Sequence, residues 1–291
     1  MRGNAAMPKT YNELYIGLRK QLRDAGVEAA SLEARLLTAH AVGKTQEKLL
    51  QDLQLYASPE LEKRVSAVAA RRLRGEPVAY ITGSWEFFGL ELTVNRDVLI
   101  PRADTEVLVD KALELQKDRQ APLRILDLCT GSGCIGCALG HMLPQSHVVL
   151  ADLSLKALNC ARQNVRRCEL GARGVCIEAD ATAVPPPQIG SFDMIVSNPP
   201  YIARDELVQL DGSVREYEPH MALDGGEDGL DFYRAILRHW RPLLRRGGWL
   251  LFESGETQAA DVEHLMRVAG LSSIETVRDT AGLDRVVFGR E

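Results

Sequence analysis

The sequence lacks the features of membrane, secreted and nucleic-acid-coating proteins. Its apolar runs, such as residues 195–196 and 249–252, are far shorter than the roughly 20 residues of a membrane-spanning helix. Residues 1–11 contain no apolar stretch typical of a secretory signal. The excess of 40 acidic over 35 basic residues argues against a protein that coats nucleic acid. We therefore expect a cytoplasmic protein without a membrane or direct nucleic-acid partner, and Arg2 leaves an organellar setting open.

Cysteine is absent from the first 128 residues, and its later spacing fits neither a disulfide framework nor a zinc site. The six cysteines are Cys129, Cys134, Cys137, Cys160, Cys168 and Cys176. Zinc would need a second pair beside the CxxC of Cys134 and Cys137, and none exists. The sequence predicts reduced thiols and no metal, with a thioredoxin-like redox role for the CxxC as the alternative.

What is present is a globular composition, with 45% hydrophobic and 26% charged residues. Its net charge of −5 is unevenly divided. Residues 1–85 carry 13 basic and 9 acidic side chains, whereas residues 86–291 carry 22 basic and 31 acidic side chains. This asymmetry indicates two modules with different partners, the alternative being a solvated helical face that happens to be basic.

Helical signals fill the first 75 residues. Thr10 and Glu13 form a capping box ahead of an apolar face. Ser58-Pro59-Glu60 marks another helix start, and Gly75 a stop. We expect a small helical bundle over residues 1–79.

The pattern then changes twice. Residues 80–102 alternate apolar and polar side chains around Gly89, which predicts a β-hairpin linker. From residue 103 onward strands and helices alternate, which predicts an α/β fold with a mainly parallel sheet. Strands are expected at 123–128, 147–151, 174–178, 192–197, 248–254, 272–278 and 285–290. Helices are expected at 104–116, 133–142, 154–169, 229–245 and 257–269, and residues 202–228 are expected to form a long loop. Because residues 279–284 are too short for a crossover, the last two strands should pair antiparallel.

A glycine-rich loop follows the first strand of the sheet. Gly131, Gly133 and Gly136 fit G-x-G-x-x-G, and Asp152 lies at the end of the next strand. The glycines let a nucleoside approach the backbone, and the Asp152 carboxylate can accept both ribose hydroxyls. Asp127, just before the loop, fits a cationic ligand better than an anionic pyrophosphate. The loop alone does not decide between NAD and S-adenosylmethionine, and a tight turn without a ligand is the alternative to both.

A second motif, Asn198-Pro199-Pro200-Tyr201, follows a strand of the same sheet. Two prolines stiffen the turn and remove two N–H donors, so carbonyls there can point at a substrate. The Asn198 side chain offers a further acceptor, and Tyr201 can stack on a planar group. The motif predicts a site for a planar amide or amino nitrogen, the alternative being a rigid turn with an asparagine cap.

These motifs and several longer stretches resemble the protein-(glutamine-N5) methyltransferases of peptide chain release factors, a family of class I S-adenosylmethionine-dependent methyltransferases. The further stretches are residues 74–83, 86–90, 98–106, 218–226, 228–230 and 284–290. The resemblance implies a helical bundle at 1–79 that docks the substrate protein and a β-hairpin linker at 80–102. It also implies a seven-stranded Rossmann-like methyltransferase domain at 103–291, with an antiparallel last strand.

The resemblance also implies the site residues. Cofactor binding is expected at Asp127, Cys129, Thr130, Gly131, Ser132, Gly133, Asp152, Asp180, Ala181 and Asn198. Substrate binding is expected at Asn198, Pro199, Pro200, Tyr201, Arg102 and Glu106, and catalysis at Asn198, Pro199 and Tyr201. Three features depart from the family pattern: Ala103 replaces a proline, Ala181 stands where a bulky aromatic is common, and Cys129, Cys134 and Cys137 occupy positions of small residues. We interpret these cysteines as small buried apolar side chains.

The expected reaction is methyl transfer from S-adenosylmethionine to a glutamine side-chain nitrogen of a release factor. Asn198 and the Pro199 carbonyl would bind the two amide hydrogens and aim the nitrogen, and the sequence shows no dedicated general base. Three rivals remain: a DNA or RNA amino-methyltransferase, an NAD oxidoreductase and a non-enzymatic S-adenosylmethionine sensor.

Overall fold

The computed structural model describes residues 7–116 and 121–291. Arg2, on which the organellar alternative depends, lies outside the described residues. The chain divides into two compact units, residues 1–83 and 84–291. The hairpin therefore belongs to the second unit. Among the helices that the structure describes, none has the length and apolar character needed to cross a membrane.

The first unit is helical. Its helices are α1 (Tyr11–Asp24), α2 (Ala30–Val42), α3 (Gln46–Gln51), α4 (Pro59–Leu73) and α5 (Val78–Thr82). The capping box at Thr10 is confirmed, because its side chain accepts from the Glu13 N–H while Glu13 accepts from the Thr10 N–H. Helices α3 and α5 were not predicted from the sequence. The predicted hairpin also began too early, since Tyr80 and Ile81 are buried in α5. Both missed helices are short, at six and five residues, and leave little periodicity to detect.

The second unit begins with a hairpin and continues as a layered α/β domain. Its strands are β1 (Ser84–Phe87), β2 (Leu90–Thr93), β3 (Arg124–Leu128), β4 (His147–Asp152), β5 (Gly174–Glu178), β6 (Phe192–Ser197), β7 (Leu244–Glu253), β8 (Ser272–Arg278) and β9 (Asp284–Arg290). Its helices are α6 (Glu106–Glu114), α7 (Cys134–Met142), α8 (Leu155–Arg167), α9 (Gly212–Tyr217), α10 (Asp231–His239) and α11 (Ala259–Val268).

The seven-stranded sheet has the order β5-β4-β3-β6-β7-β9-β8. Strands β3 to β7 pair in parallel, and β9 runs antiparallel to both β7 and β8. The predicted fold class, including the reversed last strand, is confirmed. Buried side chains of α6, α7 and α8 cover one face of the sheet, and those of α10 and α11 cover the other. The chain order reverses on either side of β3, and ligands of open α/β sheets bind at such a point.

Two predicted segments are wrong in detail. The helix expected at 229–245 is α10, which ends at His239 and is followed by a 3₁₀ turn, Arg241–Leu243, before β7 begins at Leu244. Pro242 lacks the N–H that a continuing helix needs, which explains the early end. The loop expected at 202–228 contains α9 and 3₁₀ turns at Leu207–Gln209 and His220–Ala222.

Candidate active site

Strand register brings four separate chain segments to one edge of the sheet. Leu128 of β3 pairs with Ala151 of β4 and with Ser197 of β6, and Ser197 pairs with Phe252 of β7. The residues just beyond these pairs are Cys129, Asp152, Asn198 and Glu253. The site is therefore assembled from the carboxyl ends of neighbouring parallel strands.

The glycine loop has a backbone that ordinary side chains would not allow. Gly133, which precedes α7, has φ of +82°, and a Cβ there would lie 3.0 Å from Leu150 Cδ2. A Cβ on Gly136 would lie 2.9 Å from Asp127 Oδ2. Cys129 also adopts a positive φ, 62°, a conformation uncommon for residues other than glycine. The loop is thus packed tightly onto β4 and β3, and Gly136 in the first turn of α7 lies close to Asp127.

Asp127 holds this loop from beneath. Its Oδ2 accepts from the Thr130 hydroxyl at 2.5 Å and from the Gly136 N–H at 2.8 Å. Its Oδ1 is buried without a hydrogen-bond partner among the described residues. Burial raises the pKa of Asp127 to about 7, because desolvation penalises the charged form. The geometry gives Asp127 a role in shaping the loop.

Two further carboxylates stand at the ends of β4 and β5. Asp152 Oδ2 accepts from the Gly131 N–H at 2.8 Å, and its Oδ1 accepts from the Ser154 N–H at 2.9 Å. Burial raises the pKa of Asp152. Asp180 Oδ1 accepts from the N–H and the hydroxyl of Thr182, at 2.8 and 2.6 Å. Both carboxylates are oriented by local backbone contacts.

These strand ends enclose a concave cavity that is open to solvent. Ten expected site residues line the cavity: Arg102, Cys129, Thr130, Gly131, Ser132, Asp152, Asp180, Ala181, Asn198 and Pro200. Further lining residues that the sequence analysis missed are Asp97, Leu153, Thr105, Met221 and Phe232. Phe232 is the one aromatic ring among the described residues of the wall.

Five expected site residues do not line the cavity: Asp127, Gly133, Pro199, Tyr201 and Glu106. Glu106 instead accepts from the Phe88 N–H at 2.7 Å and so holds the turn of the hairpin. Gln258 Nε2 donates to the Tyr201 carbonyl at 2.9 Å, and burial raises the pKa of the Tyr201 phenol to about 12. These residues support the wall from behind.

Arg102 lines the cavity, but its charge is already paired. Its Nη2 lies 2.5 Å from Oε1 of Glu218, a buried residue whose Oε2 accepts from the Ile100 N–H at 3.2 Å. Glu218 therefore joins the segment before α6 to the segment after α9. Since the carboxylate neutralises the guanidinium, the remaining charged groups of the wall are Asp97, Asp152 and Asp180, of which Asp97 lies 3.8 Å from Lys156 Nζ.

Asn198 and two buried polar residues form a group at the end of β6 and β7. Asn198 Nδ2 donates to Thr105 Oγ1 at 3.3 Å. Glu253 is 2% exposed and its Oε2 has no hydrogen-bond partner among the described residues. Glu253 was not predicted as a site residue, although it is the last residue of the apolar strand β7 and Asn198 directly follows β6.

The six cysteines are all free, as the sequence predicts. Cys134 and Cys137 are buried, and burial raises the pKa of Cys134 to about 12. Cys129 and Ser132 line the cavity near them. Among the described residues, no group of His, Cys, Asp or Glu has a geometry that could hold a metal ion. A neutral thiol packed in the core fits the expected role of a small apolar side chain.

Comparison with known proteins places these observations in a family. Residues 13–83 match the family model described as PrmC N-terminal domain, and residues 104–211 match the one described as Methyltransferase small domain. A release factor glutamine methyltransferase of Bradyrhizobium diazoefficiens is 41% identical over 94% of this chain and 92% of its own. A release factor glutamine methyltransferase of Geobacter sulfurreducens is 42% identical over 94% of this chain and 93% of its own.

Solved structures agree on the fold. The hMettl16 catalytic domain, crystallised with the MAT2A 3′UTR hairpin 6, superposes with a TM-score of 0.56 at 18% identity, over 76% of this chain and 81% of that one. The sheet order, the glycine loop and the carboxylates at the strand ends define an S-adenosylmethionine-dependent methyltransferase. With relatives above 40% identity along nearly its whole length, the chain belongs to the release factor glutamine methyltransferase family.

Proposed function

We propose that this enzyme transfers a methyl group from S-adenosylmethionine to the side-chain amide nitrogen, N5, of the glutamine in a Gly-Gly-Gln segment of a peptide chain release factor. The observation that carries the proposal is that Asn198 and Pro200 line the same cavity as Asp152. The names of the relatives support the same acceptor.

The donor set of the cavity fits S-adenosylmethionine. The Asp152 carboxylate can accept from a ribose diol, and Phe232 with Ala181 offers an apolar wall for a flat base. Among the described lining residues the one cation is Arg102, which Glu218 neutralises. This acidic wall suits a cationic ligand without phosphate and disfavours a dinucleotide.

When bound, S-adenosylmethionine supplies an electrophilic methyl group on a sulfonium. The task of the chain is to orient a poor nucleophile, since the lone pair of an amide nitrogen is delocalised. Asn198 and the Pro199 carbonyl would accept the two amide hydrogens and aim the nitrogen at the cofactor. Acceptors at that position also favour the positive charge that develops on nitrogen, and orientation can contribute up to about 7–11 kcal/mol. We propose no metal and no dedicated general base.

The test is methyl transfer from labelled cofactor to a release factor that carries Gly-Gly-Gln. Label should enter this protein and appear as N5-methylglutamine after digestion and mass spectrometry. The Gln→Ala release factor is the matched control and should remain unlabelled. Labelling of the alanine form, or of an RNA or DNA oligonucleotide in its place, would show that the acceptor is wrong.

We also propose that the first unit docks the release factor, in a cytoplasmic enzyme. The resemblance to the family implies this role, and residues 13–83 match the PrmC N-terminal domain. The basic residues at the end of α4 are less available than their sequence indicates, because Arg71 pairs with Glu76 and Arg72 with Glu33, at 2.8 and 2.6 Å. Arg64 is exposed on the same helix.

Charge reversal tests the docking role. Arg64→Glu should raise KM for a whole release factor about fivefold or more, while kcat/KM for a short Gly-Gly-Gln peptide stays unchanged. Arg166→Glu, which reverses an exposed charge on α8, is the control. An equal rise in KM for both variants would show that the net charge of the protein, and not Arg64 in the first unit, determines binding of the release factor.

A further inference from the structure

Glu253 and Thr105 are buried next to Asn198 on the sheet face that α6 covers. Glu253 and Asn198 are the residues immediately beyond the paired Phe252 and Ser197, so they lie side by side at the carboxyl edge. Thr105 ends the 3₁₀ turn that leads into α6. Glu253 and Thr105 are each 2% exposed.

The three side chains cluster together, with one hydrogen bond between Asn198 and Thr105. Asn198 Nδ2 donates to Thr105 Oγ1 at 3.3 Å. The Thr105 and Asn198 side chains both favour the ionised form of the neighbouring Glu253 carboxylate and lower its pKa. Its Oε2 has no hydrogen-bond partner among the described residues, so the carboxylate retains capacity to accept. The strongest acceptor beside the Asn198 amide is thus Glu253, which does not line the cavity.

An asparagine amide can be held in either of two orientations, which exchange its Nδ2 and Oδ1. An ionised carboxylate can only accept hydrogen bonds, so it attracts Nδ2 and repels Oδ1. The Thr105 hydroxyl can donate its hydrogen to the carboxylate while its lone pair accepts from Nδ2. Both neighbours therefore favour the same orientation, in which Nδ2 faces Thr105 and Glu253 and Oδ1 is left free for another donor.

We propose that Glu253, together with Thr105, is a positioning residue that orients the Asn198 amide so that its Oδ1 is presented to the NH₂ group of the substrate. The inference rests on the proposed role of Asn198. It extends that role by explaining why one orientation of a chemically ambiguous amide prevails.

Protonation of Glu253 should weaken this control. Burial raises the pKa of Glu253 to about 7, opposed in part by the Thr105 hydrogen bond and by Arg285. The titratable and charged groups that act on it are Arg285, Asp104, Tyr201, Tyr233 and Cys134. Arg285 Nη2 lies 3.0 Å from Asp279 Oδ2 and 3.7 Å from Asp104 Oδ2. A neutral Glu253 can donate as well as accept, so the amide can be held either way round. Turnover should fall as pH falls through about 7.

Glu253→Gln mimics the protonated form at every pH. At pH 8, with saturating cofactor and a Gly-Gly-Gln peptide, kcat should fall about tenfold or more, while the cofactor Kd changes less than about twofold. The fall in kcat near pH 7 should disappear from the profile. Ser254→Ala is the matched control, because the Ser254 hydroxyl is buried and unpartnered among the described residues but belongs to the opposite face. It should leave kcat and the profile unchanged.

Thr105→Val is a second variant that does not alter the carboxylate. Loss of a hydrogen bond that lowers the pKa of Glu253 should move the fall in kcat to higher pH. Asn198→Ala is measured alongside. Normal turnover in Asn198→Ala would refute the role of Asn198 itself. An inactive Asn198→Ala together with wild-type kcat and pH profile in Glu253→Gln, or an unmoved profile in Thr105→Val, would overturn only the positioning role.

Discussion

The Gly131 N–H donates to Asp152 Oδ2 at 2.8 Å, so the glycine loop that follows β3 is tied to the carboxyl end of β4. One carboxylate therefore stabilises the loop and faces the cavity. Its second oxygen is held by Ser154 at 2.9 Å. A substitution at Asp152 should affect the ligand contact and the shape of the loop together.

Asp152→Ala should raise the cofactor Kd about 10- to 100-fold, since hydrogen bonds to a charged group contribute about 1.5–3 kcal/mol. Isothermal titration calorimetry with S-adenosylhomocysteine measures this directly. Asp152→Asn, which keeps an acceptor for Gly131, should lose less. An unchanged Kd in the alanine variant would remove Asp152 from the binding site.

Asn198→Ala should lower kcat about 10²- to 10³-fold while the cofactor Kd stays constant, because the amide acts on the acceptor nitrogen and its developing charge. Single-turnover methylation of a Gly-Gly-Gln peptide separates the chemical step from binding. Asn159→Ala on α8 removes an exposed asparagine and is the control. Turnover near the wild-type value would contradict the assignment.

Phe232→Leu should raise the cofactor Kd about 5- to 50-fold, because base–aromatic stacking contributes about 1–3 kcal/mol. Phe232 and Ala181 both line the cavity, and Phe232 is the one aromatic ring among the described lining residues. Leucine keeps an apolar wall and removes only the ring. Adenosine should lose affinity by the same factor as the whole cofactor, and a loss confined to the whole cofactor would refute adenine stacking on this ring.

Asp127→Asn should raise the unfolding temperature at pH 8, with the gain disappearing toward pH 4. The folded pKa of Asp127 is about 7, above the value of 3.8 for an ordinary aspartate. The folded state therefore binds a proton more tightly, and wild-type stability from this group is lost as pH rises from about 4 to 7. Asparagine retains an acceptor for Thr130 and Gly136 without the buried charge.

Thermal unfolding of both proteins across pH measures this difference, which should reach about 3 °C or more at pH 8. Comparison with Glu33→Gln, a carboxyl in the first unit, controls for loss of any acid. A gain that is the same at pH 4 and pH 8 would show that the charge of Asp127 is not its cause.

The fold was largely predictable because it depends on patterns that repeat along the chain. The capping box at Thr10, the alternation of strands and helices, and the short connection between β8 and β9 each report on local structure. The errors fell where periodicity is short or interrupted, as in α3, α5 and the end of α10 at Pro242. The segment after β6 was expected to be a loop, and its α9 is only six residues long.

The site was predictable in part. The glycine loop, Asp152 and Asn198 belong to short motifs, and the structure brings all three to one cavity. Motifs do not show which member faces a ligand, however. Asp127 and Glu106 are in or near matching stretches, yet one holds the loop and the other holds the hairpin turn.

By itself, the sequence determined the class of fold, the glycine-rich loop and the family, because these depend on residue types at short, regular spacings. Only the tertiary structure decided that Glu253, Thr105 and Asn198 meet, and that Glu218 neutralises Arg102. These residues lie on separate elements, and Arg102 and Glu218 are 116 positions apart. Their contact depends on strand order and register, which bring distant residues together through packing of the whole sheet and its helices.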